Sequence, residues 1–374
     1  MDDPADAVHL PALQARCEVV MCRPLEPRRR LVRTLLGLRP GRPLTLDWFD
    51  EPGLRRWAQA GLAAGRYDAV FVYSSAMAPY AMGPAAAQRR GLRRVLDMVD
   101  VDSEKWRAYA EDGARFPKRQ VWTREARTLL AFERQAVASF DVTLLVSEAE
   151  RLHFMSLAPE SAGRMVALDN GVDLERFAPA PRQPNPYRPE AGPALVFTGT
   201  MNYRPNVDAV CWFAQAVMPL LRTRHPTPEF HIVGAQPAPA VRALAALPGV
   251  HVTGRVPDVR PYLAHAAVAV APLRIARGVQ NKVLEAMAMA RPVVASPEAF
   301  AGVRARPGRD LLVADGAEAM AQRIAEILDG RHPNLGAAAR SAVMAGHAWA
   351  DNLERLDGVL DGVQNRRREA VLEH

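Results

Sequence analysis

Lysine is nearly missing from this 374-residue chain: of its 48 basic residues only Lys105, Lys118 and Lys282 are lysines. The formal charge of +7 therefore follows an arginine- and alanine-rich composition and is weak grounds for an anionic partner. Cysteine is equally sparse. Cys17, Cys22 and Cys211 are too few and too scattered for a disulfide framework or a cysteine zinc site, and as structural thiols they fit a reducing cytosol. Aromatic residues make up only 6% of the chain, without zinc-finger spacing or an RNP-like motif, so nucleic-acid binding has no support. Long hydrophobic runs are also missing. The longest uncharged stretch, 69–88, is broken by Ser74, Ser75, Pro79, Gly83 and Pro84 and reads as strand, loop and helix rather than as a membrane span. The acidic opening Met1-Asp2-Asp3-Pro4 lacks the basic start and apolar core of a secretory signal.

What is present suits two α/β domains: 49% hydrophobic and 24% charged residues are ordinary for a globular chain of this length. After a helix over 8–15, strands are expected at 18–22, 69–73, 95–101 and 142–146, with helices at 52–64, 79–90 and 119–138. Such alternation predicts a parallel sheet covered on both faces, with ligands at the carboxyl ends of its strands. Asn170-Gly171 is a turn signal, and six prolines in 178–193 read as an extended linker. A second series follows, with strands at 194–198, 229–233 and 250–253 and helices at 206–222, 239–247 and 259–265. Two closing helices are expected at 333–345 and 349–363, the last with Trp349, Leu353, Leu356 and Leu360 at helical spacing. The implied domains are 1–170, 194–347 and a tail of 348–374, with 171–193 as linker.

Residues 267–296 read as strand, loop, helix and strand. The helix carries Asn281, Lys282 and Glu285 in its first turns and packs Val283, Leu284, Ala286, Met287 and Ala290 inward. Its N-terminal N–H groups and Lys282 suit a phosphate, and Glu285 suits sugar hydroxyls. An ordinary amphipathic helix with a solvated Lys-Glu pair fits the same spacing. Gly199 opens a strand-to-helix loop whose nearest cation for a diphosphate is Arg204, or Arg204 is a surface pairing residue. Asp97, Asp100, Asp102, Ser103 and Glu104 follow a strand, either as site carboxylates or as the first turn of a helix. Arg28, Arg29, Arg30, Arg33, Arg39 and Arg42, with Arg89, Arg90, Arg93 and Arg94, form either a face for anionic lipid or a solvated face. His153, His231, His251, His265 and His347 show no metal spacing, and no metal site is expected.

The string Gly278-Val279-Gln280-Asn281-Lys282-Val283-Leu284-Glu285-Ala286-Met287-Ala288, continuing to Pro292-Val293-Val294-Ala295, resembles the nucleotide-sugar site of the retaining GT-B glycosyltransferases of family 4. There a Glu-x7-Glu motif ends in a closely similar sequence. Glu285 matches the second glutamate, which binds donor ribose hydroxyls, whereas Arg277 stands at the first and Ala290 replaces the usual glycine. Asn170-Gly171-Val172-Asp173 resembles the family's domain-boundary signature. The resemblance implies two Rossmann-like domains facing a cleft, with a C-terminal helix crossing back to the first domain. It implies that Gly199, Arg204, Gly278, Asn281 and Lys282 meet the donor, and that the main chain at Arg255 and Val256 reads the base, although a plain turn fits there too. Asp100, with Asp102 second, is nearest to the position of a family histidine close to the donor sugar. No metal cofactor is implied. The co-substrate is a UDP- or GDP-sugar.

The combination of VDVDSEKW, TGTMNYRPNVDAV and the Gly278 string is most similar to sugar transferases of exosortase and PEP-CTERM exopolysaccharide systems. The expected partners are a nucleotide-sugar donor, a glycan or lipid-linked acceptor and an anionic membrane surface, with a cytoplasmic location on the inner face of the membrane. Compared with the family, one βαβ unit of roughly 30 to 40 residues is missing at the start, so the working protein is expected to be longer. Two alternatives remain open on the same residues: a non-catalytic nucleotide-sugar or partner-binding member of an assembly complex, and a nucleotide-sugar epimerase.

Overall fold

The computed structural model describes residues 4–25, 30, 34, 41–87, 89, 91–111, 115–179, 183–276 and 278–372. These divide into two compact units. The first gathers the described residues up to Leu145, Glu150–Ala167 and the chain from Leu356; the second gathers Val146–Ala149 and Leu168–Arg355.

The first unit holds a four-stranded parallel sheet of β1 (Ala69–Tyr73), β2 (Arg93–Val99), β3 (Val142–Leu145) and β4 (Met165–Ala167), in that order across the sheet. Apolar residues of β2 and β3 meet the helices Lys118–Ser139 and Glu148–Leu157 through Leu96, Met98, Leu145, Val137 and Phe154. The second unit is a six-stranded parallel sheet ordered β10-β9-β8-β5-β6-β7. Its strands are β5 (Ala194–Thr198), β6 (Glu229–Val233), β7 (Val250–Gly254), β8 (Val268–Ala271), β9 (Val293–Ala295) and β10 (Leu312–Val313). Central β5 and β8 are buried along their whole length, as strands covered on both faces must be.

The helix after β5 begins at Arg204 and runs to Arg224, with a π turn at Phe213–Val217. Pro219 explains that turn. A proline ring clashes with the carbonyl four residues earlier, and widening the preceding turn relieves the clash. The buried stripe of Ala209, Val210, Phe213, Val217 and Leu221 continues across it.

Several expectations differ from the structure. Residues 18–22 form no strand: Val19 is 63% exposed, and with Glu18 it lines a groove of about 910 Å³ beside β1 without joining the ladder. An apolar run becomes a strand only when a neighbour takes its N–H and C=O groups. The helix expected over 79–90 is instead a 3-10 turn, Ser75–Tyr80, and a short helix, Pro84–Ala87, parted by Gly83 at φ +127°. Gln59 Nε2 donates to the carbonyls of Tyr80 and Met82 that a continuous helix would have used. β2 ends two residues early, because its register shifts between Asp97 and Val99 and Val99 sits at φ +66°. The stretch 183–193 is irregular but anchored, since Tyr187 donates its hydroxyl to Tyr262 O at 2.6 Å.

The Asn170-Gly171 pair is fixed by packing. A Cβ on Gly171 would lie 2.7 Å from Trp349 Cδ2, and Val172 N donates to His347 O at 2.9 Å. Of the ten clustered arginines, Arg30 is buried under Trp48, Arg42 binds Asp47, Arg89 donates to Gly65 O, Arg93 to Val359 O, and Arg94 pairs with Asp141. Arg28, Arg29, Arg33, Arg39 and Arg90 lie outside the described residues. Among the described residues no helix is long and apolar enough to cross a membrane.

The helix Asn281–Ala288 ends in a Schellman motif, with Ala290 N donating to Met287 O and Arg291 N to Ala286 O. The motif requires a left-handed residue, and Ala290 adopts φ +54°. Left-handed backbone costs a residue with a Cβ about 1 kcal/mol relative to glycine. Ala290→Gly is therefore expected to raise the melting temperature by roughly 2–4 °C, measured by calorimetry.

Candidate functional site

In the second unit, parallel pairing puts the carboxyl ends of β5 to β9 at one edge of the sheet, and the expected donor residues leave from that edge. Gly199 follows β5 and Gly254 closes β7. The loops after β5 and β6 touch: a Cβ on Gly234 would lie 1.7 Å from Gly199 O, and Met201 N donates to Ala235 O. Arg204 is half-buried as the first residue of its helix, and Asn206 Nδ2 donates to Thr200 O to close the loop. Arg255 is exposed, while Val256 packs on the core.

The loop after β8 carries Gly278, buried at φ +63°, where a side chain would be strained. Arg277 lies outside the described residues. The helix Asn281–Ala288 then starts at the N-cap residue Gln280, whose side chain makes no cap hydrogen bond. Asn281 is exposed and accepts from Asn170 at 3.4 Å. Lys282 Nζ lies 5.3 Å from the centre of the Phe197 ring of β5 and donates to Gln280 Oε1 at 3.3 Å. Burial pulls its amine down to about 8, against the attraction of Glu285. Burial also pushes the Glu285 carboxyl up to about 7, although Lys282 and Arg176 draw it down. Both side chains are half-buried, so the pair on this amphipathic helix is partly withdrawn from solvent. Sequence reasoning missed Arg176, three residues after Asp173, because its nearness to Glu285 depends on the fold.

In the first unit, Asp100 follows the irregular end of β2. Val99 is a β-branched residue in left-handed conformation, and its N–H is held by Asp97 Oδ1 at 3.0 Å. Such backbone persists only where the surroundings enforce it. Burial raises the Asp97 carboxyl. It also raises the Tyr73 hydroxyl, helped by the charges of Asp97, Asp100 and Asp102, so these four residues are neighbours. Asp102 opens the helix Asp102–Glu111 and accepts from Lys105 Nζ at 2.9 Å, which is the helix-start role. The cap itself comes from elsewhere. Glu150 accepts from Val101 N, and Glu133 accepts from Ser103 N at 3.1 Å and Ser103 Oγ at 2.5 Å. Glu133 is buried inside the long helix, which pushes its carboxyl up to about 8. Burial would also raise Glu104, but hydrogen bonds from Arg107 and His153 outweigh it. No spacing rule points to Glu133 or Glu150 from the sequence.

The shift at Glu285 fixes a sign. A carboxyl raised from 4.5 to about 7 destabilises the fold once ionised, and the effect is absent below the unfolded value. Glu285→Gln mimics the neutral form. It is expected to raise the melting temperature at pH 8 and to leave it unchanged at pH 4.5 and below, read from paired thermal scans; the same shift at both would refute a buried ionised Glu285.

Comparison with known proteins agrees with this architecture. Residues 192–330 match the family described as glycosyl transferases group 1. No curated protein matches the chain. Among solved structures, sucrose-phosphate synthase from Thermosynechococcus elongatus superposes with a TM-score of 0.64 at 18% identity, over 86% of this chain and 78% of that one. HepE of Anabaena in complex with UDP-glucose gives 0.66 at 13% identity, over 95% of this chain and 89% of that one. A TarM variant from S. aureus in complex with fondaparinux, α-GlcNAc-glycerol and UDP gives 0.59 at 13% identity, over 82% of this chain and 59% of that one. The chain thus has the GT-B fold of two Rossmann-like domains, and its residues 192–330 match the glycosyl transferases group 1 family.

Proposed function

We propose that the chain is a retaining glycosyltransferase of family 4, which moves a sugar from a UDP- or GDP-linked donor to a glycan or lipid-linked acceptor. The observation that carries this reading is the half-buried pair of Lys282 and Glu285 on the helix that follows Gly278 at the carboxyl end of β8. The N–H groups of that helix and the Lys282 amine meet the diphosphate, with Arg204 as a further cation from the loop after β5. Glu285 accepts hydrogen bonds from the ribose hydroxyls. In the transfer step the bond from the anomeric carbon to the diphosphate oxygen breaks and a bond to the acceptor oxygen forms on the same face. The departing phosphate oxygen takes the acceptor's proton, and its charge is met by Lys282, Arg204 and the helix N-terminus. Asp100, at the end of β2, orients the acceptor or meets positive charge on the oxocarbenium-like sugar.

UDP-glucose in the HepE complex and UDP in the TarM complex support a nucleotide-diphosphate donor by analogy of fold. The motif likeness to exosortase and PEP-CTERM sugar transferases supports a role in exopolysaccharide synthesis, with the acceptor presented at the inner face of the membrane.

The test is product formation from a panel of UDP- and GDP-sugars with membrane lipid extract. Glycolipid formation is expected, and Lys282→Ala should lower kcat/KM by about 100-fold or more through loss of leaving-group stabilisation. Epimerised donor without acceptor product would indicate the epimerase; donor binding without turnover would indicate the non-catalytic member. Wild-type turnover retained in both Lys282→Ala and Glu285→Ala would sink the site. The pH profile of kcat/KM should be bell-shaped, falling below about 7 as Glu285 takes a proton and above about 8 as Lys282 loses one.

A further inference from the structure

At the opposite edge of the second sheet, where β6 and β7 begin, the register gathers three side chains that are far apart in the sequence. Glu229 and His231 alternate onto one face of β6, and His231 pairs with His251 of β7. The two imidazoles stack with centroids 4.6 Å apart and planes 15° from parallel. Both Nε2 atoms are shielded from water. Both face a single carboxylate oxygen, with Glu229 Oε2 at 3.4 Å from His231 and 3.2 Å from His251.

One carboxylate oxygen therefore faces both ring nitrogens, so three potential metal-binding atoms converge on one point between β6 and β7.

We propose that Glu229, His231 and His251 bind one zinc ion, with solvent at the fourth position. Metal bonds of about 2.0 to 2.1 Å in a tetrahedron separate neighbouring ligand atoms by about 3.3 to 3.4 Å. Two edges of the triangle already have that length, and all three atoms lie within 4.8 Å of one another. The third edge closes by rotation of His251, whose side chain is 37% exposed and has room to turn. Two imidazoles and a carboxylate suit zinc rather than magnesium or calcium. The outer contacts are those a metal site uses to aim its ligands. Arg188 Nη2 donates to Glu229 Oε1 at 3.2 Å and leaves Oε2 toward the imidazoles. The Tyr187 ring lies 4.5 Å from His231. The bound ion therefore braces the 183–193 stretch against β6 and β7, and it stands at the edge of the sheet away from the donor loops.

The experiment uses the full chain with any polyhistidine tag removed, stripped by a chelator and titrated with Zn²⁺ by calorimetry and with Co²⁺ by absorption. One Zn²⁺ per chain is expected, with the ligand-field bands of tetrahedral Co²⁺ and a melting temperature that rises as Zn²⁺ is added. His251→Ala and Glu229→Gln should abolish stoichiometric binding and the Co²⁺ bands while the metal-free far-UV circular dichroism stays that of the wild type. His332→Ala, outside the cluster, should retain both. Wild-type protein that takes up no stoichiometric Zn²⁺, or binding that survives in His251→Ala, overturns the proposal. None of these readouts depends on sugar transfer.

Discussion

Parallel pairing is the constraint on which the second unit depends. A parallel strand returns to the sheet only after a crossover, so every strand-to-helix loop leaves from the same edge. That geometry, rather than any local motif, puts Gly199, Gly254 and Gly278 at one end of the sheet. The closeness of the loops is set by small residues: Gly234 lets the turn after β6 touch the carbonyl of Gly199. With the polar edge fixed, burying β5 and β8 on both faces leaves Lys282 against the Phe197 ring and Glu285 short of water. Their shifted protonation follows from sheet architecture.

The first unit manages its charges differently. Its polar groups sit within the layer of helices, where Glu133 and Glu150 cap the Asp102–Glu111 helix from neighbouring helices. A side chain of the same element would be the ordinary cap. Reaching across elements ties the backbone after Asp100 to the unit's core, so the strained turn at Val99 and the carboxylates beside it are held by contacts distant in sequence.

Legibility in the sequence follows the same division between local and distant determinants. β5 runs over the expected residues because Ala194 to Phe197 are apolar, and β6 because Phe230, Ile232 and Val233 lie between Pro228 and Gly234. The strand-loop-helix-strand unit around Lys282 was readable for the same reason, and Ala290 stood out before its left-handed backbone was known. The amphipathic helix Ala317–Leu328 was not among the expected elements, although Met320, Ala321, Ile324 and Leu328 recur at helical spacing. β10 has two residues and shows no period. Residues 18–22 carry a strand-like pattern, but pattern does not supply a partner. Glu133, Arg176 and the trio of Glu229, His231 and His251 are invisible to spacing rules, since each is assembled by register or by packing between elements.

The π turn at Phe213–Val217 has a further consequence for how this chain tolerates change in length. A π turn is an α turn with one residue too many, stabilised here by the proline that follows. The helical stripes on either side already face the sheet in phase. Removing one residue from 213–217 together with replacing Pro219 would therefore let the helix close to ordinary α geometry without rotating Ala209 or Leu221 off the core. One residue earlier or later in the flanking turns, the same deletion would swing every subsequent side chain by about 100°. Length variation in this helix is confined to a single turn, and relatives that lack the residue should also lack the proline.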